Sequence, residues 1–385
     1  MRVRRLVVIG LGAAMLLACS GCVRVDLQRL ASDAADGRDN GTAGSVLAQD
    51  YILDYLRSWT SGPNAGTGDE RYKQAFAGGT NLIGVLPGTD LADEYVLVGA
   101  HFDHVGHGCE DLRPNDDICN GATDNAAGVV AVLDVLRKMY YGGDVRRSVI
   151  FAFWDREEDG LLGARHYAQN PIIPLADTVA YVNLDIQGSN VRPSLRNVSF
   201  AVGAETGGPR MRQLVSDATA PGQLGLGQLS VIFGQGRSDH VPFIAAGVPS
   251  VFFTDATGPC YHTDSDDIDV VDFAKLDQQI GAVLRLTRAL AETDDLPTFT
   301  TGLPIATYDD AAILYVVSSV LVMHDLDTFN QLQADFIVDA HAQLQQIILD
   351  GPEAFDSTDA STMLQNAAAI VSFLATGPCD GYLTP

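Results

Sequence analysis

The sequence predicts an α/β protein: a three-layer α/β/α sandwich around a central mixed, mostly parallel sheet, with a C-terminal helical appendage. Three observations carry this. Short apolar runs of strand length recur at 95–100, 148–153, 178–184 and 249–253, with helix-length stretches between them, the alternation expected of β-α-β units. Ligand-type side chains stand directly after these runs, at His101, Glu157, Glu158 and Asp185, with His262 just beyond the last. Open α/β sheets bind their ligands at the carboxyl ends of strands. Residues 305–385 have helical periodicity and no strand signal.

Taken in order, Arg2, Arg4 and Arg5 precede an apolar stretch from Leu6 to Ala18. It is shorter than the about 20 residues of a membrane span and has the layout of a signal peptide. Its end, Leu16-Leu17-Ala18-Cys19, resembles the bacterial lipobox, which implies an exported lipoprotein of the cell envelope anchored through Cys19. Cleavage nearby by an ordinary signal peptidase would instead release a secreted protein. Residues 19–45, rich in Asp, Gly, Ala and Ser, read as a tether. Apolar residues at helical spacing predict a first helix over 46–59. Strands are expected at 81–86, closed by Pro87-Gly88, and at 95–100, followed by a Gly/Pro/Asp-rich loop to Asn120. The Gly121-to-Gly128 loop then opens an apolar helix reaching Met139. Further strands are expected at 148–153, 178–184, 198–202, 229–233 and 249–253, and a long helix at 273–292. Helices at 311–322, 329–348 and 362–374 complete the appendage. The divisions are 1–18 leader, 19–45 tether, 46–300 main domain and 301–385 helical extension.

The formal charge of −25 over 385 residues argues against a nucleic-acid binder, which needs a basic face. An apolar content of 46% supports a large core. Export would place the six cysteines in an oxidising compartment. Cys109 and Cys119 flank one short loop and are expected to pair; Cys260 and Cys379 are expected to tie the tail to the body. Sequence alone leaves the connectivity open.

Each chemical group has a bland reading. Asp124 before an apolar helix could be an N-cap. Adjacent glutamates commonly form a solvated face, and an isolated His-X-Asp is commonly structural. The bland readings weaken together, because every group falls at the same end of its element. Two histidines with several carboxylates and no cysteine suit zinc with a position left for water. One carboxylate shared between two metals accounts for the surplus of acids. Alternation along an extended segment would turn Glu157 and Glu158 opposite ways, one toward metal and one toward a reacting water. Asp103 is expected to steady the His101 ring.

These blocks resemble the co-catalytic di-zinc exopeptidases, a family that includes bacterial secreted aminopeptidases, glutamate carboxypeptidases and glutaminyl cyclases. The matching pieces are His101-Phe102-Asp103-His104, Gly121-Ala122-Thr123-Asp124-Asn125-Ala126-Ala127-Gly128, Phe153 through Gly163 with the Glu157-Glu158 pair, Asn183-Leu184-Asp185, Ser238-Asp239-His240-Val241-Pro242-Phe243 and Tyr261-His262-Thr263-Asp264-Ser265-Asp266. The resemblance covers roughly residues 46–295. The resemblance implies two Zn²⁺ per chain. Asp124 would bridge them, His101 and Asp185 would complete one site, and Glu158 and His262 the other. It makes Glu157 the general base, Asp103 a support of the site and Tyr261 a donor to the tetrahedral intermediate. It also implies a cis Asp124–Asn125 peptide and peptide substrates cut at the N-terminal bond. The alternatives are a glutaminyl cyclase-like acyltransferase and a metal-free peptidase-like binding module.

Overall fold

The structure is a computed structural model describing residues 20–383 apart from positions 111, 114, 115 and 235. The leader and Cys19 lie outside the described residues. Eight strands form one sheet: β1 (Lys73–Phe76), β2 (Gly79–Leu86), β3 (Leu91–His101), β4 (Arg147–Trp154), β5 (Thr178–Leu184), β6 (Val198–Val202), β7 (Gly225–Leu229) and β8 (Ser250–Thr254). Their order across the sheet is β1-β2-β4-β3-β5-β8-β6-β7. The centre, β4-β3-β5-β8, is parallel, and so is the β6-β7 pair. The β1-β2, β2-β4 and β8-β6 pairs are antiparallel.

The helices are α1 (Ser20–Leu30), α2 (Ala43–Trp59), α3 (Ala127–Tyr141), α4 (Leu162–Gln169), α5 (Gly208–Thr219), α6 (His240–Ala245), α7 (Phe273–Glu292), α8 (Tyr308–His324), α9 (Gln331–Asp350) and α10 (Ser357–Leu374). The pleat of β3 sorts the two covering layers. Val96, Val98 and Ala100 pack into a core with α3 and α7, whereas Leu97 packs with Ala164 and Tyr167 of α4 and Phe243 of α6. Burial on both faces explains why β4 reads as an unbroken apolar run. None of the described helices is long and apolar enough to cross a membrane.

Two expectations need correction. Residues 20–38 are not a tether. Leu27 and Leu30 of α1 are buried in the main core, and Arg38 is 1% exposed. The Asp/Gly/Ala-rich composition marks tight turns here, because buried apolar side chains and the Arg38 hydrogen bonds repay the ordering of the backbone. The strand expected at 229–233 lies earlier, at Gly225–Leu229, and Val231–Gly234 turns as a 3₁₀ helix. Pairing with β6 set that register rather than side-chain propensity. Strand β1, four residues long, carried no sequence signal.

The C-terminal helices lie beside β6 and β7. Asp310 closes a capping box with Thr307 at the start of α8. It also accepts from the Ser230 amide and hydroxyl, both at 2.7 Å, which fastens α8 to the body. Arg192 donates to the carbonyls of Phe373, Leu374 and Thr376 at 2.8–2.9 Å, capping the end of α10. Disulfides join Cys109 to Cys119 and Cys260 to Cys379, the pairs expected.

Candidate functional site

His101 is the last residue of β3 and lies in register with Trp154, the last of β4. Asp185 follows β5 directly, and His262 stands in the loop beyond β8. Asp124 occupies the distorted turn at Ala122–Ala126 that opens α3, and its peptide bond to Asn125 is cis. The sequence expectation for the glutamates needs adjustment. Glu157 and Glu158 lie past the strand end, after Arg156 at a φ of 59°. The turn, rather than strand alternation, separates their carboxylates.

These elements bring seven expected side chains together. His101 Nε2 is 3.4 Å from Asp124 Oδ1 and 3.3 Å from Asp185 Oδ1. His262 Nε2 is 3.2 Å from the other Asp124 oxygen and 3.1 Å from Glu158 Oε2. One aspartate thus faces both histidines. Glu157 groups with His101 and Glu158. Tyr261 stacks on the His262 ring with centroids 3.9 Å apart.

The braces are specific. Asp103 was expected to hold the His101 ring. Its carboxylate does lie beside that ring, 3.7 Å from His101 Nδ1, and it also accepts the amides of Glu157 and Glu158 at 3.1 and 3.2 Å, while the Asp103 backbone oxygen is 3.2 Å from the same ring nitrogen. Asp266 accepts the amides of Thr123 and Asp124 and the Thr123 hydroxyl. Asn125 Nδ2 donates to the Leu184 carbonyl at 2.9 Å, next to Asp185. Arg38 donates to the carbonyls of Phe102 at 3.0 Å, Asn120 at 2.6 Å, Gly121 at 2.9 Å and Leu30 at 2.7 Å. It therefore pins the chain just after His101 and the loop that carries Asp124.

Sequence reasoning missed four of these contributors. His104 is 1% exposed, and its Nδ1 lies 2.8 Å from Glu158 Oε1. It was visible within the His-X-Asp-His run, but the chain leaves the strand after His101, so strand alternation misplaces it. Asp266 was visible only as one acid among several in its turn. Asp239 is fully buried, and neither of its oxygens has a hydrogen-bond partner among the described residues. Arg38 gave no signal, because its environment read as a linker.

The electrostatics ask for cations. Burial raises Glu157 well above the usual carboxylate range, with Asp185, Asp239 and Glu158 adding to the effect. Burial raises Asp239 in the same way. Burial alone would raise Asp124 and Glu158 too, but their histidine neighbours hold Asp124 far below the normal range and Glu158 near about 2. Burial would lower His262, yet Asp124 and Glu158 push it up to about 10. Arg38, lowered by burial to about 10, stays charged at neutral pH.

The donor set fits metal ions. One group joins His104, Asp124, Glu158 and His262, another joins His101, Asp124 and Asp185, and each keeps its donor atoms within 4.8 Å of one another. His262 Nε2 approaches two carboxylates closely without hydrogen-bond alignment to either. Donors aimed at a shared centre rather than at each other have this arrangement. The Cys109–Cys119 loop packs against the His262 segment through the Glu110 amide and the His262 carbonyl, 3.0 Å apart.

The sequence profile of Peptidase family M28 matches residues 81–287. The leupeptin-inactivating enzyme 1 of Streptomyces exfoliatus is 27% identical over 288 residues, covering 68% of this chain and 59% of that enzyme. This chain thus spans less than two thirds of that relative's length. The Legionella pneumophila LapA aminopeptidase superposes with a TM-score of 0.57 at 19% identity, covering 74% of this chain and 75% of that one. The Porphyromonas gingivalis glutaminyl cyclase gives 0.57 at 21% identity, covering 69% and 96%.

Proposed function

The chain belongs to peptidase family M28, and from that membership we propose that it is a two-zinc aminopeptidase releasing the N-terminal residue of peptides. The observation that carries this reading is Asp124, whose two oxygens face two separate donor groups. In the proposal Asp124 would be shared between the metals, His101 and Asp185 would hold one, and Glu158 and His262 would hold the other with His104 beside them. Bound zinc supplies Lewis acidity and lowers the pKa of water toward neutrality.

The remaining steps belong to the chain. In this reading Glu157 is left free of metal. Its carboxylate takes the proton of the attacking water and returns it to the leaving amine, so one water is added across one amide bond. The Tyr261 hydroxyl, kept protonated by burial and the surrounding carboxylates, donates to the developing oxyanion. Asp103 holds the backbone of Glu157 and Glu158 so that the two carboxylates keep separate tasks.

Export belongs to the same proposal. The basic, apolar leader ending at Cys19 and the Cys109–Cys119 and Cys260–Cys379 disulfides support an oxidising location in the cell envelope or outside the cell. A second reading, a carboxypeptidase, draws on Arg165 and Arg237, which line the site cavity and form no ion pair among the described residues.

One panel separates the readings: aminoacyl anilides, N-blocked dipeptides with a free carboxylate, and an N-terminal glutaminyl peptide, each with chelator and with zinc restored. Zinc-dependent anilide cleavage supports the aminopeptidase. Cleavage of the blocked dipeptides alone replaces it with the carboxypeptidase. Cyclisation without hydrolysis replaces both with the cyclase.

A further inference from the structure

We propose that the three C-terminal helices form the specificity wall of this centre, and that the cavity beneath them takes a long apolar side chain on the substrate's terminal residue. The inference rests on the exopeptidase reading. A cavity of about 560 Å³ runs from Asp124, Glu157 and His262 to the underside of α8, α9 and α10. Its floor is the sheet face at Val198 and Phe200 of β6 and Phe252 of β8. Its roof is Val317 of α8 with Ile370 and Leu374 of α10. The roof lies outside the span matched by the family profile, so this wall belongs to the chain's own extension.

Three physical points lead to the occupant. The first is continuity. Metal-centre carboxylates line the same space as the apolar residues, so a group attached to the reacting carbonyl enters without crossing a barrier.

The second is chemistry. Ser318 is the one polar side chain that the C-terminal helices contribute to the lining, and its hydroxyl lies 3.0 Å from the Tyr315 carbonyl and 3.1 Å from His341 Nδ1. Arg165 and Arg237 belong to the body rather than to these helices, so the wall that the helices make offers no unengaged partner to a charged or amide side chain, which would lose its hydration there without compensation.

The third is size. The space is that of a small-molecule pocket. A leucine or phenylalanine would leave wall atoms without contacts, whereas a longer chain fills them. The helices are held in place from both sides, by Asp310 on Ser230 and by Arg192 on the end of α10, so the space does not close by their collapse.

The test uses the zinc-loaded, full mature chain and a homologous series of L-amino acids with linear side chains, from alanine through norleucine and 2-amino-octanoate to 2-aminodecanoate, with lysine and glutamate as charged controls. Calorimetry on the free amino acids reads binding, and the matching anilides read kcat/KM. The expected result is a gain of about fourfold per added methylene, continuing beyond norleucine, with lysine and glutamate weakest. Val371→Trp on α10, which narrows the cavity from the roof, is expected to cut the 2-aminodecanoyl-to-alanyl preference at least tenfold.

Binding and kcat/KM in the wild-type chain that peak at alanine, or stay flat beyond norleucine, would overturn the inference. An unchanged preference in a folded Val371→Trp protein would also overturn it. Length-dependent binding with no anilide cleaved would support the cavity's role while removing the aminopeptidase reading.

Discussion

Two buried arginines do similar work in this molecule on two different segments of the chain, with different consequences. Arg38 comes from the N-terminal segment and donates to carbonyls at the ends of the body's ligand-bearing loops, Phe102, Asn120 and Gly121. Arg192 comes from the body and donates to carbonyls of the C-terminal extension, Phe373, Leu374 and Thr376. Both use the planar fork of the guanidinium, which satisfies several acceptors at once. Arg38 lies behind the candidate metal site, where placement within a fraction of an ångström would decide ligation. Arg192 lies behind an apolar roof, where shape matters more than any single angle. The comparison shows two segments outside the matched span fastened to the body by the same device, one beside the candidate site's loops and one beside its cavity, and in the proposed reading the first serves its chemistry and the second its selectivity.

The largest effect is expected from Arg38→Met. It leaves four carbonyls without their donor, three of them flanking ligand loops, and each unsatisfied buried group costs about 1–3 kcal/mol. The expected outcome is a lower denaturation midpoint together with zinc affinity weakened about 10- to 100-fold, read by competition with a chelator. Stability lost with unchanged zinc affinity would reduce Arg38 to a folding residue. Arg192→Met should be milder, with about 1–3 kcal/mol lost, full zinc content, and a weakened preference for long apolar substrates. Equal zinc loss in both variants would erase the distinction between the two arginines.

A smaller effect tests the N-terminal segment through a different contact. Asn40 donates to Asp155 Oδ2 at 2.8 Å, alongside the Thr80 amide at 2.7 Å. Burial still raises Asp155 to about 6 from 3.8. A raised carboxyl means that the folded chain holds the proton more tightly than the unfolded one. Stability therefore falls as pH rises from about 4 to about 6 and levels off above, by about 2 to 3 kcal/mol at most. Asp155→Asn should flatten that stretch of the stability profile, measured by urea unfolding. An unaltered slope would assign it to another carboxyl.

Much of the fold was legible because strands buried on both faces leave continuous apolar runs, as β4 and β5 do. The ligand set was legible because its members stand just past those runs. Asp103 and His104 were harder, because the backbone leaves the strand between them and His101 and periodicity stops informing. Arg38 was illegible for a physical reason: three of its four partners are carbonyls 64 to 83 residues away in sequence, and a composition of Asp, Gly and Ala does not distinguish a tether from a packed turn. Strand β7 was displaced because its Gly225 and Gly227 carry no strand signal, while the apolar Val231–Gly234 turn does.

The central claim is that Glu157 moves the proton while its neighbour Glu158 holds metal. The most direct measurement is zinc per chain beside turnover in Glu157→Gln and in the wild type. The account predicts two zinc ions retained in both proteins, with turnover lower in the variant by a factor of about 10²–10⁴. Zinc lost along with activity would make Glu157 a ligand, and turnover preserved with zinc bound would take the proton transfer away from it.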